Sequence, residues 1–215
     1  MTKMNLAGMT DYTLLKPQAT EKDIVVLCHE AQQYKFMTVC VNPTYVQTAA
    51  KILRGTGIGV AAVVGFPLGA TFTEIKVQEV FMVKAHGGKE VDMVINIGWA
   101  KSGNWEAVER EVVRVVEAAQ SSGLIIKVII ETSLLTEDEK KLAAEIVKRS
   151  GADYIKTSTG FAGGGATVED VRNLKAWVGE SVKVKASGGV KTREFALELV
   201  EAGAERLGTS SLLHV

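Results

Sequence analysis

The sequence predicts an α/β fold, a closed eight-stranded (β/α)8 barrel in a single domain spanning residues 1–215. Three observations predict it. Short runs rich in β-branched residues alternate with helix-period segments along nearly the whole chain. These runs are apolar on both faces, the pattern of a parallel sheet covered by helices. Strand candidates recur at a spacing of roughly 25–30 residues, and eight of them favour a closed TIM barrel over an open doubly wound sheet.

The first and weakest strand lies near Thr10–Leu14. Thr20 is placed as the N-cap of a helix over Glu21–Gln33. "MTVCV" (37–41) is the second strand, and a helix over Thr44–Leu53 follows the "NP" turn. "IGVAAVVGF" (58–66) is the third, followed by a helix over Thr73–Ala85. "EVDMVINIG" (90–98) is the fourth; Asn104 then caps a helix over Trp105–Gln120. "LIIKVIIET" (124–132) is the fifth, and Thr136 with Glu139 forms a capping box for Glu137–Arg149. "DYIKT" (153–157), "VKVKAS" (182–187) and "ERLGTSS" (205–211) complete the strands, with helices over Val168–Trp177 and Arg193–Glu201. Only "LLHV" follows the last strand, too little for a full closing helix, so the expectation is either a missing or shortened closing helix or a shortened chain.

Composition narrows the function. The chain is 47% hydrophobic, enough for one sizeable core, and its 25 basic residues cancel 25 acidic ones. That balance gives no reason to expect a nucleic-acid partner. No apolar run approaches the roughly 18 residues of a membrane span. The opening "MTKMNLAGMTDYTLL" lacks the features of a secretory signal. Cys28 and Cys40 have neither metal-ligand nor disulfide-framework spacing, which suits a reducing cytoplasm. His29, His86 and His214 have no metal-ligating partner at useful spacing, so neither a metal nor another cofactor is expected.

The chemistry is expected where barrel strands end, at the active-site mouth. Lys156 ends the sixth strand and Lys185 the seventh, in equivalent positions on neighbours. Parallel strands lie about 4.8 Å apart, so two inward lysines there bring their ammonium groups together. A nearby cation and partial desolvation both favour the neutral, nucleophilic amine. The pair therefore suggests Schiff-base chemistry, and spacing alone leaves open which lysine attacks. The Thr, Ser and Gly residues after Lys156 are expected to keep its approach open and to supply donors. Asp92, inside the fourth strand, is either a buried structural partner or a carboxylate that shuttles protons during carbinolamine formation and dehydration. Lys127 shares a strand face with Ile129 and Glu131 and either completes the interior charge network or is structural. Lys183 is assigned no role.

Phosphate is expected at the loops after strands seven and eight, "SGGVKT" (187–192) and "GTSS" (208–211). Gly188 and Gly189 leave the backbone bare there, while Ser210 and Ser211 add hydroxyls. "GFAGGGAT" (160–167) reads as a mobile active-site loop. "GTGIG" (55–59) lacks dinucleotide-binding spacing, and "GGVKT" is not a P-loop. The ligand expected is a small phosphorylated metabolite.

"DYTLLKPQAT", "VCVNP", "VVGFPLGA", "EVDMVINIG", "KVIIET", "YIKTSTGF", "VKASGGVKT" and "ERLGTSS" occur in order from Asp11 to Ser211 and resemble the successive motifs of deoxyribose-phosphate aldolases. "YIKTSTGF" with "KASGG" is the specific part. The resemblance implies a metal-free class I aldolase that cleaves 2-deoxy-D-ribose 5-phosphate to acetaldehyde and D-glyceraldehyde 3-phosphate. It implies Lys156 as the Schiff-base lysine, Lys185 as its perturbing cation and Asp92 as the proton relay. It also implies Gly188, Gly189, Ser210 and Ser211 at the phosphate, with Gly160 near it, and Asp11 and the non-catalytic thiol of Cys40 lining the site. Its partners are then phosphosugar and aldehyde substrates, and further copies of the chain in a dimer or tetramer. Three features depart from the pattern: Tyr12 where many members have His, Phe161 where some carry a phosphate-holding lysine, and no C-terminal extension ending in tyrosine. Two other readings compete: a barrel aldolase for a different phosphosugar, and a non-catalytic phosphometabolite-binding protein.

Overall fold

A computed structural model describes residues 5–211. The expected closing segment and His214 lie outside the described residues. Eight parallel strands close in sequence order: β1 (Thr10–Leu14), β2 (Thr38–Val41), β3 (Gly59–Val64), β4 (Glu90–Val94), β5 (Ile125–Ile129), β6 (Tyr154–Lys156), β7 (Lys183–Ser187) and β8 (Arg206–Thr209). The barrel shuts where Asp11 of β1 pairs with Gly208 of β8.

Helices α1 (Glu21–Tyr34), α2 (Val46–Ile52), α3 (Thr73–Ala85), α4 (Ile97–Lys101), α5 (Trp105–Ser121), α6 (Glu137–Ser150), α7 (Val168–Val178) and α8 (Arg193–Glu201) occupy the connections. Side-chain caps set several starts. Thr136 and Glu139 form the expected box on α6, Thr20 and Asp23 form a second on α1, and Asn104 accepts from Ala107 N–H on α5.

Three segments differ from expectation. The helix expected over Thr44–Leu53 starts as a 3₁₀ turn, Pro43–Tyr45, pinned where Tyr45 Oη donates to Ala19 O at 2.6 Å. The fourth strand stops at Val94, because the Asn96 side chain accepts from Trp99 N–H and caps α4 inside the apolar run. The fifth strand stops at Ile129, because Glu131 turns into the left-handed region at φ 55°.

The strands divide two different interiors. Val39, Val91, Met93, Ile126, Val128 and Ile155 face the helices in a continuous apolar layer. Burying each such side chain contributes about 1.5–3 kcal/mol. The other face points into the barrel. On one side Cys40, Ala61 and Val63 pack with Leu15. Opposite them, Lys127, Lys185 and Asp92 are fully buried and Arg206 nearly so. The small residues of β2 and β3 leave the volume that these long side chains fill, as close packing demands.

Candidate active site

Strand register brings the charged groups together. Lys156 pairs with Lys185 across β6 and β7, and Asp92 with Lys127 across β4 and β5. Period-two alternation then points all four side chains inward. Oδ2 of Asp92 accepts from Lys156 Nζ at 2.7 Å and from Lys185 Nζ at 2.7 Å, while its Oδ1 accepts from Lys127 at 2.8 Å. Lys156 ends β6 as expected. Lys185 does not end β7: it is the middle residue of that strand, which runs two residues past it while β6 stops at its partner Lys156. Its side chain passes over Gly208, where a Cβ would come within 3.1 Å of Lys185 Cε.

Asp11 does not face the mouth. It lies fully buried below it, accepting from Lys185, from Thr38 Oγ1 at 2.7 Å and from Arg206 at 2.7 Å. Glu90 adds a third carboxylate, 2.5 Å from Lys127. Arg206, Glu90 and Thr38 were not singled out by sequence reasoning. The available signal was period two: Glu90 shares the inward face of β4 with Asp92.

Charge states follow from burial and neighbours. Burial pushes the Lys156 amine below the ordinary lysine range; Asp92 pulls it up and Lys185 pushes it further down. Burial works against the charge of Lys185 too, but Asp11 and Asp92 outweigh it and its pKa rises. Lys127 rises well above the lysine range, because Asp92, Asp11 and Glu90 overcome its burial. Burial raises Asp92, yet Lys127, Lys156 and Lys185 together hold it well below the usual carboxylate range. Burial pushes the Cys40 thiol up to about 11, leaving it a neutral, non-nucleophilic wall residue.

A cavity of about 290 Å³ opens at the C-terminal ends of the strands, and Lys156, Gly160, Gly188, Gly189 and Ser210 line it. Asp92, Lys185, Lys127, Asp11 and Cys40 lie beneath its lining, and Ser211 stands outside it, donating its N–H to Thr209 Oγ1 at 2.9 Å. Two lysines that sequence reasoning did not assign, Lys16 and Lys191, stand in the lining. Thr157 and Ser158 do not open the approach to Lys156. Both are fully buried, and Thr157 Oγ1 donates to Ser187 O at 3.1 Å to bind the β6 and β7 loops together. The later part of the glycine loop is close-packed against the β7 loop. A Cβ on Gly188 would lie 2.9 Å from Gly165 Cα, and Ala166 N–H donates to both Ser187 O and Gly188 O. A larger hollow of about 590 Å³ at the N-terminal ends of β3 and β4 contains none of the interior charged groups. Among the described residues, no group of three or more His, Cys, Asp or Glu side chains is arranged to hold a metal ion.

This is a desolvated amine beside a carboxylate, at the floor of an open cavity. Such an arrangement can add to a carbonyl and move protons. Residues 7–214 match the model of the DeoC/LacD family aldolases. The chain belongs to that aldolase family. A deoxyribose-phosphate aldolase of Desulfitobacterium hafniense (strain DSM 10664 / DCB-2) is 77% identical over 211 residues, covering 98% of this chain and 97% of its own. One of Thermococcus gammatolerans (strain DSM 15229 / JCM 11827 / EJ3) is 52% identical, covering 98% and 95%. The tetrameric deoxyribose phosphate aldolase of Aeropyrum pernix superposes with a TM-score of 0.89 at 37% identity, over 95% of this chain and 86% of that one. This DeoC/LacD aldolase is thus a (β/α)8 carbon–carbon lyase. Membership removes the non-catalytic binding protein as a reading. No helix among its described residues is long and apolar enough to cross a membrane.

Proposed function

We propose that this chain reversibly cleaves 2-deoxy-D-ribose 5-phosphate to acetaldehyde and D-glyceraldehyde 3-phosphate, with Lys156 as the Schiff-base nucleophile. One observation carries the assignment. Of Lys127, Lys156 and Lys185, only Lys156 lines the cavity, and only its pKa is lowered. An amine must be unprotonated to attack, so the accessible lysine is also the competent one.

The neutral Nζ of Lys156 adds to C1 of the open-chain aldehyde. The oxygen gains a proton and leaves as water, giving an iminium. Asp92, 2.7 Å from Nζ, is placed to accept and return that proton through a bound water. The iminium draws the C2–C3 bonding pair as the C3 hydroxyl loses its proton. Glyceraldehyde 3-phosphate departs and an enamine remains on Lys156. Protonation at C2 and hydrolysis release acetaldehyde and the amine. Lys185 stays cationic throughout and anchors Asp92 through the hydrogen bond to its Oδ2. The phosphate is held over the bare backbone of Gly188 and Gly189 and near Ser210, with Lys16 and Lys191 contributing positive potential, so a remote charge orients the reacting carbon.

Incubation with acetaldehyde, borohydride reduction and peptide mass spectrometry test the nucleophile. The adduct is expected on Lys156, and Lys156→Leu should abolish both labelling and turnover. Labelling elsewhere, or turnover by the variant, overturns the assignment. A ketose phosphate adduct without an acetaldehyde adduct would instead indicate a different phosphosugar. By analogy with the tetrameric relative, we also infer a homo-oligomer, a dimer or tetramer; light scattering that returns a monomer would reject the assembly. The absence of a disulfide-framework cysteine pattern supports a cytoplasmic setting.

A further inference from the structure

Glu131 is 1% exposed and does not line the cavity. It follows β5 in the left-handed region, at φ 55°, ψ 68°, a conformation that costs a non-glycine residue free energy and clusters at functional sites. The neighbouring backbone shows what it achieves. Ile130 N–H donates to Lys156 O at 3.1 Å, and Thr132 N–H donates to Thr157 O at 2.9 Å. Two residues of one strand therefore advance against one residue of the other, as in a bulge, and bulges re-aim side chains beside active sites.

The re-aimed side chain meets Thr159. Oε2 of Glu131 accepts from Thr159 N–H at 3.1 Å and from Thr159 Oγ1. The hydroxyl's one proton is thereby committed to Glu131, so its lone pair is the acceptor for Phe161 N–H at 3.0 Å. The chain Glu131, Thr159, Phe161 folds a tight turn around Gly160, at φ 84°, and Thr159, Gly160 and Phe161 all face the cavity. The other oxygen, Oε1, is buried without a hydrogen-bond partner among the described residues. A buried carboxyl group left half satisfied is unfavourable for stability alone.

We propose that Glu131 is a positioning residue that shapes the Thr159–Phe161 turn into the cavity wall recognising the substrate's phosphate. The proposal rests on the aldolase reading above and deepens it. It predicts a defect tied to the remote phosphate rather than to the amine.

The test compares Glu131→Leu, Glu131→Gln and Thr159→Val on 2-deoxyribose 5-phosphate and on unphosphorylated 2-deoxyribose. Glu131→Leu should raise KM for the phosphorylated sugar about tenfold, the scale of one lost buried hydrogen bond, with kcat much less affected. The unphosphorylated sugar should lose little, and acetaldehyde trapping on Lys156 should persist. Glu131→Gln should recover most of the affinity, since its amide oxygen can accept both Thr159 donors. Thr159→Val keeps the carboxyl group and breaks the link to Phe161, so it should reproduce the KM defect even where Glu131→Leu does not fold. Equal losses on both sugars, or no loss in Thr159→Val, would overturn the proposal. If wild type cleaves neither sugar, the aldolase reading fails separately, and binding of inorganic phosphate by calorimetry still decides: equal affinity in wild type and Thr159→Val rejects the positioning role.

Discussion

Lys156 Nζ stands 2.7 Å from Asp92 Oδ2, the oxygen that also accepts from Lys185. Lys156 and the anchored cation Lys185 are therefore linked through one carboxylate oxygen. Replacing Asp92 with Asn keeps the shape and removes the charge. We expect kcat to fall by about 10²–10⁴-fold, the range of a lost general acid–base group. Stability should also fall, because Lys127 and Lys185 lose a buried counter-ion. Steady-state kinetics with a denaturation curve separate the two effects, and a folded variant with near-normal kcat would remove Asp92 from proton transfer.

Lys185→Met tests the electrostatics of the nucleophile. After burial and the opposing pull of Asp92, Lys185 is the neighbour that lowers the Lys156 pKa. Activity requires neutral Lys156 and falls as pH drops through that pKa. Removing the cation raises the pKa, so the acidic limb of kcat/KM should move to higher pH. A limb that stays fixed or moves down would show that burial alone sets the amine.

Phe161→Lys probes the departure at the mouth. Phe161 lines the cavity and meets the Phe66 ring edge-on at 5.2 Å. A lysine there should lower KM for the phosphorylated sugar by about fivefold, matching roughly 1 kcal/mol for a partly exposed ion pair. It should not improve turnover of the unphosphorylated sugar. Equal effects on both sugars would place the phosphate elsewhere.

Lys76 and Glu111 form a second buried ion pair, at 2.8 Å and fully enclosed, away from the cavity. Lys76 also donates to Val94 O at 2.7 Å, and Glu111 accepts from Asn96 N–H at 2.8 Å, so together they hold the end of β4. Lys76→Met or Glu111→Leu alone should cost about 3–5 kcal/mol by stranding the partner. The double variant should cost clearly less than the sum, and denaturant melts with a double-mutant cycle would read the difference. Additive losses would mean the two side chains act independently.

The strand order was legible because each strand announces itself by composition, and Lys156 opposite Lys185 followed from equivalent positions on adjacent units. The end of β4 was not, since Asn96 sits inside an apolar run and caps a helix only once Glu111 takes its backbone N–H. Arg206 and Glu90 needed the barrel to close before they could meet across it at 3.4 Å. The contact between Glu131 and Thr159 depends on a single left-handed residue that no propensity marks, because glutamate rarely adopts it.

The filling of the barrel has a consequence for when charge is present. Asp11, Glu90 and Asp92 are matched by Lys127, Lys185 and Arg206 in a space shut off from water. A proton on Lys156 would leave this compartment with a surplus positive charge, because its carboxylate partner Asp92 is already shared with Lys127 and Lys185. On the proposed mechanism the interior charges balance when the Lys156 amine is neutral. The surplus then arises once the iminium forms, when the substrate's phosphate dianion would be at hand to balance it.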